Sequence, residues 1–237
     1  MPPSPRFPTT SWSLVLGTVE EEDRRSAFER LCNLYWSPVH DFIRGQVGDP
    51  ESAKDLTQAF FARLIEKHDV CPPQPGKARF RCYLIAAIRH FLANESDRLR
   101  TQRRGGDWAR VPLDGGNSPT SAEAAIADGM TPERIFERRW ALLVIDRALK
   151  SVKRQYEAMG KRAYFVRLEI FLLGSRGDNK YRSVAEELGV SEAAVKMAVH
   201  RLRRQFGAAL RAEISTTVGD AGEVDDELRY LLSVLNA

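Results

Sequence analysis

The stretch Tyr181 to Arg211 constrains this chain more than any other: it reads as a helix, a three-residue turn and a second, strongly basic helix. Val184, Ala185 and Leu188 fall on one face of the first helix. Gly189 follows where that helix must stop, and glycine enters the left-handed conformation of such an ending without steric cost. Ser191 is a good N-cap for what comes next. In the second helix Val195, Val199, Leu202 and Phe206 make a narrow apolar stripe at spacings of four, three and four. The opposite arc carries Ala193, Lys196, Met197, His200, Arg201 and Arg204. From Lys196 to Arg211 there are five basic residues and no acid. This is the layout of a helix-turn-helix, whose second helix lies in the major groove of DNA. A one-sided basic helix suits a phosphate-lined groove, because each neutralised phosphate releases counterions. The bland alternative is a solvated face in a helical bundle. It is the weaker reading, because turn, stripe and charge agree.

The remaining sequence is also helical in pattern. A helix from about Arg25 to Val47 carries Phe28, Leu31, Tyr35, Val39, Phe42 and Ile43, with Pro38 inviting a kink. Asp49-Pro50 supplies a cap and a first-turn proline for a second helix, whose stripe is Ala53, Leu56, Phe60, Phe61 and Leu64. The loop Val70 to Lys77, with three prolines and Gly76, is irregular, and a third helix spans about Arg79 to Gln102. Between Gly105 and Gly129 glycine, proline, serine, aspartate and asparagine accumulate and periodicity fades, as in a linker. Thr131-Pro132-Glu133 restarts helix through Trp140, Leu143, Val144 and Ala148. Gly160 breaks it, and a short apolar helix follows from Ala163 to Leu173. The expected fold class is all-α: two small helical domains joined by a flexible linker, the second ending in the helix-turn-helix. The expected boundaries are 7–104, a linker at 105–130, 131–212, and an acidic amphipathic extension at 213–237.

Charge is distributed unevenly, which says more than the net +4. Phe80 to Arg104 holds six arginines against Glu95 and Asp97, whereas Glu213 to Ala237 holds six acids against Arg229. Cys32, Cys71 and Cys82 show no paired spacing and read as reduced, mostly packed thiols. No apolar run approaches a membrane span, and Trp12 to Leu16 is too short a patch for a secretory signal. A cytoplasmic protein with no membrane association is expected. His40, His68, His90 and His200 form no metal-ligand spacing, and no phosphate-binding glycine loop or nucleophile motif is present. The expectation is therefore a protein that is not an enzyme, with no cofactor and no metal.

Three local patterns resemble bacterial RNA polymerase sigma factors of the extracytoplasmic-function (ECF) subfamily of the sigma-70 family. Ala53-Lys54-Asp55-Leu56-Thr57-Gln58-Ala59-Phe60 is similar to that group's acidic helix. Phe80-Arg81-Cys82-Tyr83-Leu84, continuing to Ala87-Ile88-Arg89-His90, resembles its second signature helix, with Tyr83 in place of the usual tryptophan. Gly189-Val190-Ser191 with Val195-Lys196 and His200-Arg201 resembles its recognition helix. Together the three cover about residues 25 to 104 and 131 to 212.

The resemblance implies a promoter-specificity subunit. Such a subunit binds core RNA polymerase, holds the −10 and −35 elements of double-stranded promoter DNA and assists opening, with room for an anti-sigma protein or another regulator. It makes Asp55 and Gln58 the polymerase contacts, on the face opposite the apolar stripe. Lys54 and Ala59 stand where acids are usual, so this face is less negative than in the family. Thr57 falls inside the apolar arc and reads as packed. The −10 contacts implied are Arg79, Arg89, His90, Arg100 and Arg104, with the loop from about Val70 to Arg79 shaping a pocket for a flipped base. Phe80 and Tyr83 read as core aromatics rather than stacking platforms. Glu95 has no account in the apolar stripe. The −35 contacts are Ala193, Lys196, Met197, His200, Arg201 and Arg204. Ala198 stands where the family often has an arginine, and a DNA contact is lost there.

Beyond this core, Val224, Leu228, Leu231, Leu232 and Leu235 stripe an acidic helix. Three readings stay open: it masks a basic DNA-binding face, it binds a regulator or polymerase, or it packs on the second domain. The alternative for the whole chain is a stand-alone helix-turn-helix regulator that binds DNA without polymerase. Such a regulator has no need of the Asp55/Gln58 face or of the basic third helix. A helical interaction scaffold, the remaining reading, has no need of arginine arcs.

Overall fold

A computed structural model of the chain describes residues 11–15, 21–66, 79–102, 129–172 and 178–236. Among the described residues every regular element is helical. In chain order these are α1 (Ser11–Val15), α2 (Glu21–Val47), α3 (Pro50–Glu66), α4 (Phe80–Gln102), α5 (Pro132–Ala158), α6 (Arg162–Leu168), α7 (Asp178–Leu188), α8 (Glu192–Ser215) and α9 (Val224–Asn236). The chain is thus all-α. The expected irregular loop at 70–77, nearly all of the expected linker and residues 173–177 lie outside the described residues.

The helix boundaries follow from local chemistry. Asp49 caps α3, its carboxylate accepting the Ser52 amide at 2.7 Å, and this bond holds the Asp49 carboxyl below its usual range. Thr131 plays the same part for α5, its hydroxyl oxygen 3.4 Å from the Arg134 amide, with Pro132 in the first turn. Pro38 is buried within α2, which continues through it.

The residues fall into two compact units, Met1–Leu143 with Ser215–Ala237, and Val144–Ile214. The division passes through α5, and α9 belongs to the first unit.

The core of the first unit is aromatic. Trp12 meets Phe80 edge-on at 5.2 Å, Tyr35 packs on Phe80 at 5.2 Å, and Trp36 stacks on Phe61 at 5.4 Å. Leu31, Val39, Phe42, Ile43, Leu84 and Ile88 are fully buried beside them. Phe80 and Tyr83 are core residues, and burial pushes the Tyr83 hydroxyl up to about 12. Thr57 is buried too, its hydroxyl donating to the Ala53 carbonyl at 2.7 Å. The start of α1 is tied to the segment after α8, with the Ser11 amide donating to the Thr216 carbonyl at 3.0 Å.

In the second unit Val152, Phe165, Leu168, Phe171, Val184, Ala185, Val195, Ala198, Val199 and Leu202 form one buried cluster. The expected helix at 163–173 is shorter, ending at Leu168 and tightening into a 3-10 turn over Glu169–Phe171. Cys32 is partly buried, and burial pushes its thiol up to about 11. Cys82, expected to be packed, is exposed instead, because it faces away from the stripe that Leu84 and Ile88 bury.

Candidate nucleic-acid interface

α7 and α8 are joined by a short turn, and the six residues assigned to the −35 contact all lie on α8. Gly189 ends α7 at φ 64°, and the Val190 amide returns to the Ala185 carbonyl at 3.0 Å, which closes the helix end. Ser191 opens α8, its hydroxyl accepting the Ala194 amide at 3.2 Å. Val195, Val199 and Leu202 turn into the core, with Phe206 packed against it. That fixes the rotation of α8 and leaves Ala193, Lys196, Met197, His200, Arg201 and Arg204 exposed. Met197 is 66% exposed, an unusual position for a large apolar side chain.

Three details adjust the sequence reading of α8. Ala198 is 2% exposed and belongs to the core, so its small side chain serves packing and no DNA contact is lost there. Arg203 is exposed beside this arc but is engaged within the chain, donating to the Phe171 carbonyl at 3.0 Å and bracing α8 against the 3-10 turn. Lys196 sits 2.7 Å from Glu192 one turn back and 5.6 Å from the Tyr181 ring centroid, both contacts at the helix surface.

The basic side of α4 is more engaged than its sequence suggests. Arg89 is exposed but pairs with Glu133 of α5 at 2.5 Å. Burial, the largest single influence, raises the Glu133 carboxyl, but the hydrogen bonds from Arg89, the Glu133 amide and Thr131, with the Arg89 charge, together outweigh it and the net shift is downward. His90 is exposed and hydrogen-bonds the Asn94 amide group at 3.2 Å. Glu95, unexplained by the pattern, pairs with Arg98 at 2.9 Å. Arg100 lies in α4, though its side chain is not described, and Arg104 lies outside the described residues, as does nearly all of the expected base pocket.

Arg79 and Arg81 are held by α9. Glu227 pairs with both: its Oε2 lies 2.7 Å from Arg79 Nη1, and its Oε1 accepts Arg81 Nε at 2.8 Å. Arg81 was not among the expected contacts. Its burial opposes its charge, but the hydrogen bond and attraction of Glu227 prevail and raise its pKa. Of the three readings of the extension, packing as an added helix holds in part: α9 bonds Arg79 and Arg81 of the expected first domain and, through Tyr230, Glu137 in the first half of α5, which belongs to the expected second domain, and all of these residues fall in the first compact unit.

On α3 the apolar stripe turns inward and Asp55 and Gln58 are exposed, with Glu51, Lys54, Ala59 and Ala62 on the same open side. Among the described residues no helix is long and apolar enough to cross a membrane, and no group of histidine, cysteine and acidic residues is placed to hold a metal ion.

A helical protein that offers one helix as a basic, exposed arc has the form of a DNA-binding protein. A family model described as "ECF sigma factor" matches residues 11–212. The chain belongs to the ECF sigma factor family, and so acts as a sigma subunit in transcription initiation, a regulatory DNA-binding protein whose partners are core RNA polymerase and promoter DNA. Comparison with curated proteins and with solved structures returns no match.

Proposed function

We propose that this sigma subunit selects promoters with two separate basic surfaces. The exposed arc of α8 reads the −35 element through Ala193, Lys196, Met197, His200, Arg201 and Arg204. Arginine and lysine there suit guanine edges and phosphates, and the Met197 side chain suits a thymine methyl. The basic side of α4, with Arg79, Arg89, His90, Arg100 and Arg104, holds the −10 element and assists opening. Asp55 and Gln58 of α3 contact core polymerase. On this reading residues 7–104 and 131–212 are the two working domains, tethered by 105–130.

The observation that carries the reading is the arc on α8. Its six residues are exposed together because Val195, Ala198, Val199 and Leu202 of the same helix are locked in the core. Run-off transcription with core polymerase and a genomic promoter library tests it. Replacing Lys196 and Arg201 by Ala abolishes −35-dependent initiation while co-purification with core polymerase persists. Each good base contact removed costs about 1–3 kcal/mol of discrimination. Normal promoter selection by the double variant would place the reading helix elsewhere.

A further inference from the structure

The arginine pair at the start of α4 already holds an anion. Glu227 lies between Arg79 and Arg81, accepting Arg81 Nε at 2.8 Å and Nη2 at 3.4 Å and lying 2.7 Å from Arg79 Nη1. The Tyr230 ring covers the Arg81 guanidinium at 3.6 Å, and the Tyr230 hydroxyl donates to Glu137 at 2.5 Å. Arg81 Nη1 also reaches Glu137 at 3.3 Å. Two guanidinium forks around one carboxylate offer the geometry and charge that a phosphate accepts equally well.

The attachment of α9 leans on this ionic contact. Of its five stripe residues, Leu231 is fully buried, Val224, Leu228 and Leu235 are partly buried, and Leu232 is 49% exposed. Apolar burial is indifferent to a competing anion, whereas a carboxylate held by arginines is not. The chain before α9 is fixed differently. Thr217 and Val218 are buried and Thr216 bonds the Ser11 amide, so residues 219–222 separate an anchored segment from the helix.

We propose that α9 is an intramolecular clasp in which Glu227 occupies, at Arg79 and Arg81, the place of a DNA backbone phosphate. The free chain then binds DNA weakly, and a DNA strand that reaches α4 displaces Glu227 and releases the helix. Exchange keeps both arginines paired throughout, which is what lets a buried ion pair open: removing a partner outright is far more costly than replacing it. The proposal rests on the assignment of the α4 side to promoter DNA.

Two forms of the full chain test it against a labelled single-stranded deoxyoligonucleotide. One is Glu227→Gln. The other carries a protease site inserted within residues 219–222 and is cut after purification, which leaves Thr217 and Val218 in place. Both are expected to bind the oligonucleotide about tenfold more tightly than the uncut wild type. Their salt dependence steepens as one further phosphate is engaged, by about 0.7 in log–log slope. The severed helix leaves the chain when oligonucleotide is added. Adding Arg79→Ala to the Glu227→Gln chain removes part of the gain. If Glu227→Gln does not fold, as read by circular dichroism, the cut chain decides by the same readouts. Unchanged affinity and slope, or a severed helix that stays with the DNA-bound chain, would overturn the clasp. A wild-type chain that does not direct start sites with core polymerase would instead overturn the reading on which the clasp rests.

Discussion

Ala198 sits in the same buried cluster as Val195, Val199 and Leu202, so its size is set by packing. An arginine there brings an unpaired charge into an apolar core. Ala198→Arg is expected to lower stability by about 3 kcal/mol or more, read by urea unfolding. A stable variant with tighter DNA binding would show that this position faces DNA after all. Gly189 is a different kind of constraint, with open space around it and φ at 64°. Gly189→Ala should cost about 1–2 kcal/mol in the same assay, because the backbone and not a neighbour forbids the methyl group. A cost near zero would mean that the turn tolerates another conformation. The glycine was legible in the sequence because its reason is local. Arg81 was not. Its partner Glu227 is 146 residues away, and inside a basic stretch nothing distinguishes a buried, paired arginine from an exposed one.

At the scale of elements, the helices declared themselves through their ends. Asp49-Pro50, Thr131-Pro132 and Gly189 to Ser191 are short-range devices, and each appears as a bond between neighbours in the chain. The stripes of α2, α3 and α8 likewise predicted which faces are buried, because one helical period decides it. What periodicity does not contain is the partner of a helix, and so the docking of α9 against α4 stayed open. Ser191→Ala removes the cap of α8 and should destabilise the chain by about 1 kcal/mol, with DNA affinity falling as the helix start frays. The link between α4 and α5 has a pH signature. The Glu133 carboxyl is lowered in the folded chain from an ordinary value of 4.5, so its ionised form is the stabilising one. That contribution is complete above about pH 4.5 and is lost as pH falls through the lowered value. The difference in urea midpoint between wild type and Glu133→Gln should therefore shrink on acidification. A difference that does not change with pH would assign the effect to packing instead.

For the whole molecule, the family places the chain in transcription initiation, and two of the three patterns that suggested it lie in helices, α3 and α8, whose assigned residues are exposed. The third lies on α4, where the expected arginines are partly committed to Glu133 and Glu227. On α3, Asp55 and Gln58 are exposed, which suits both to a partner. The central claim is that the arc of α8 chooses where transcripts begin. The most direct measurement is run-off transcription by core polymerase with the wild-type chain and with the Lys196→Ala, Arg201→Ala double variant on the same promoter library. The account predicts defined start sites with the wild type, and their loss with a double variant that still co-purifies with core polymerase. Identical start sites from both chains would contradict it.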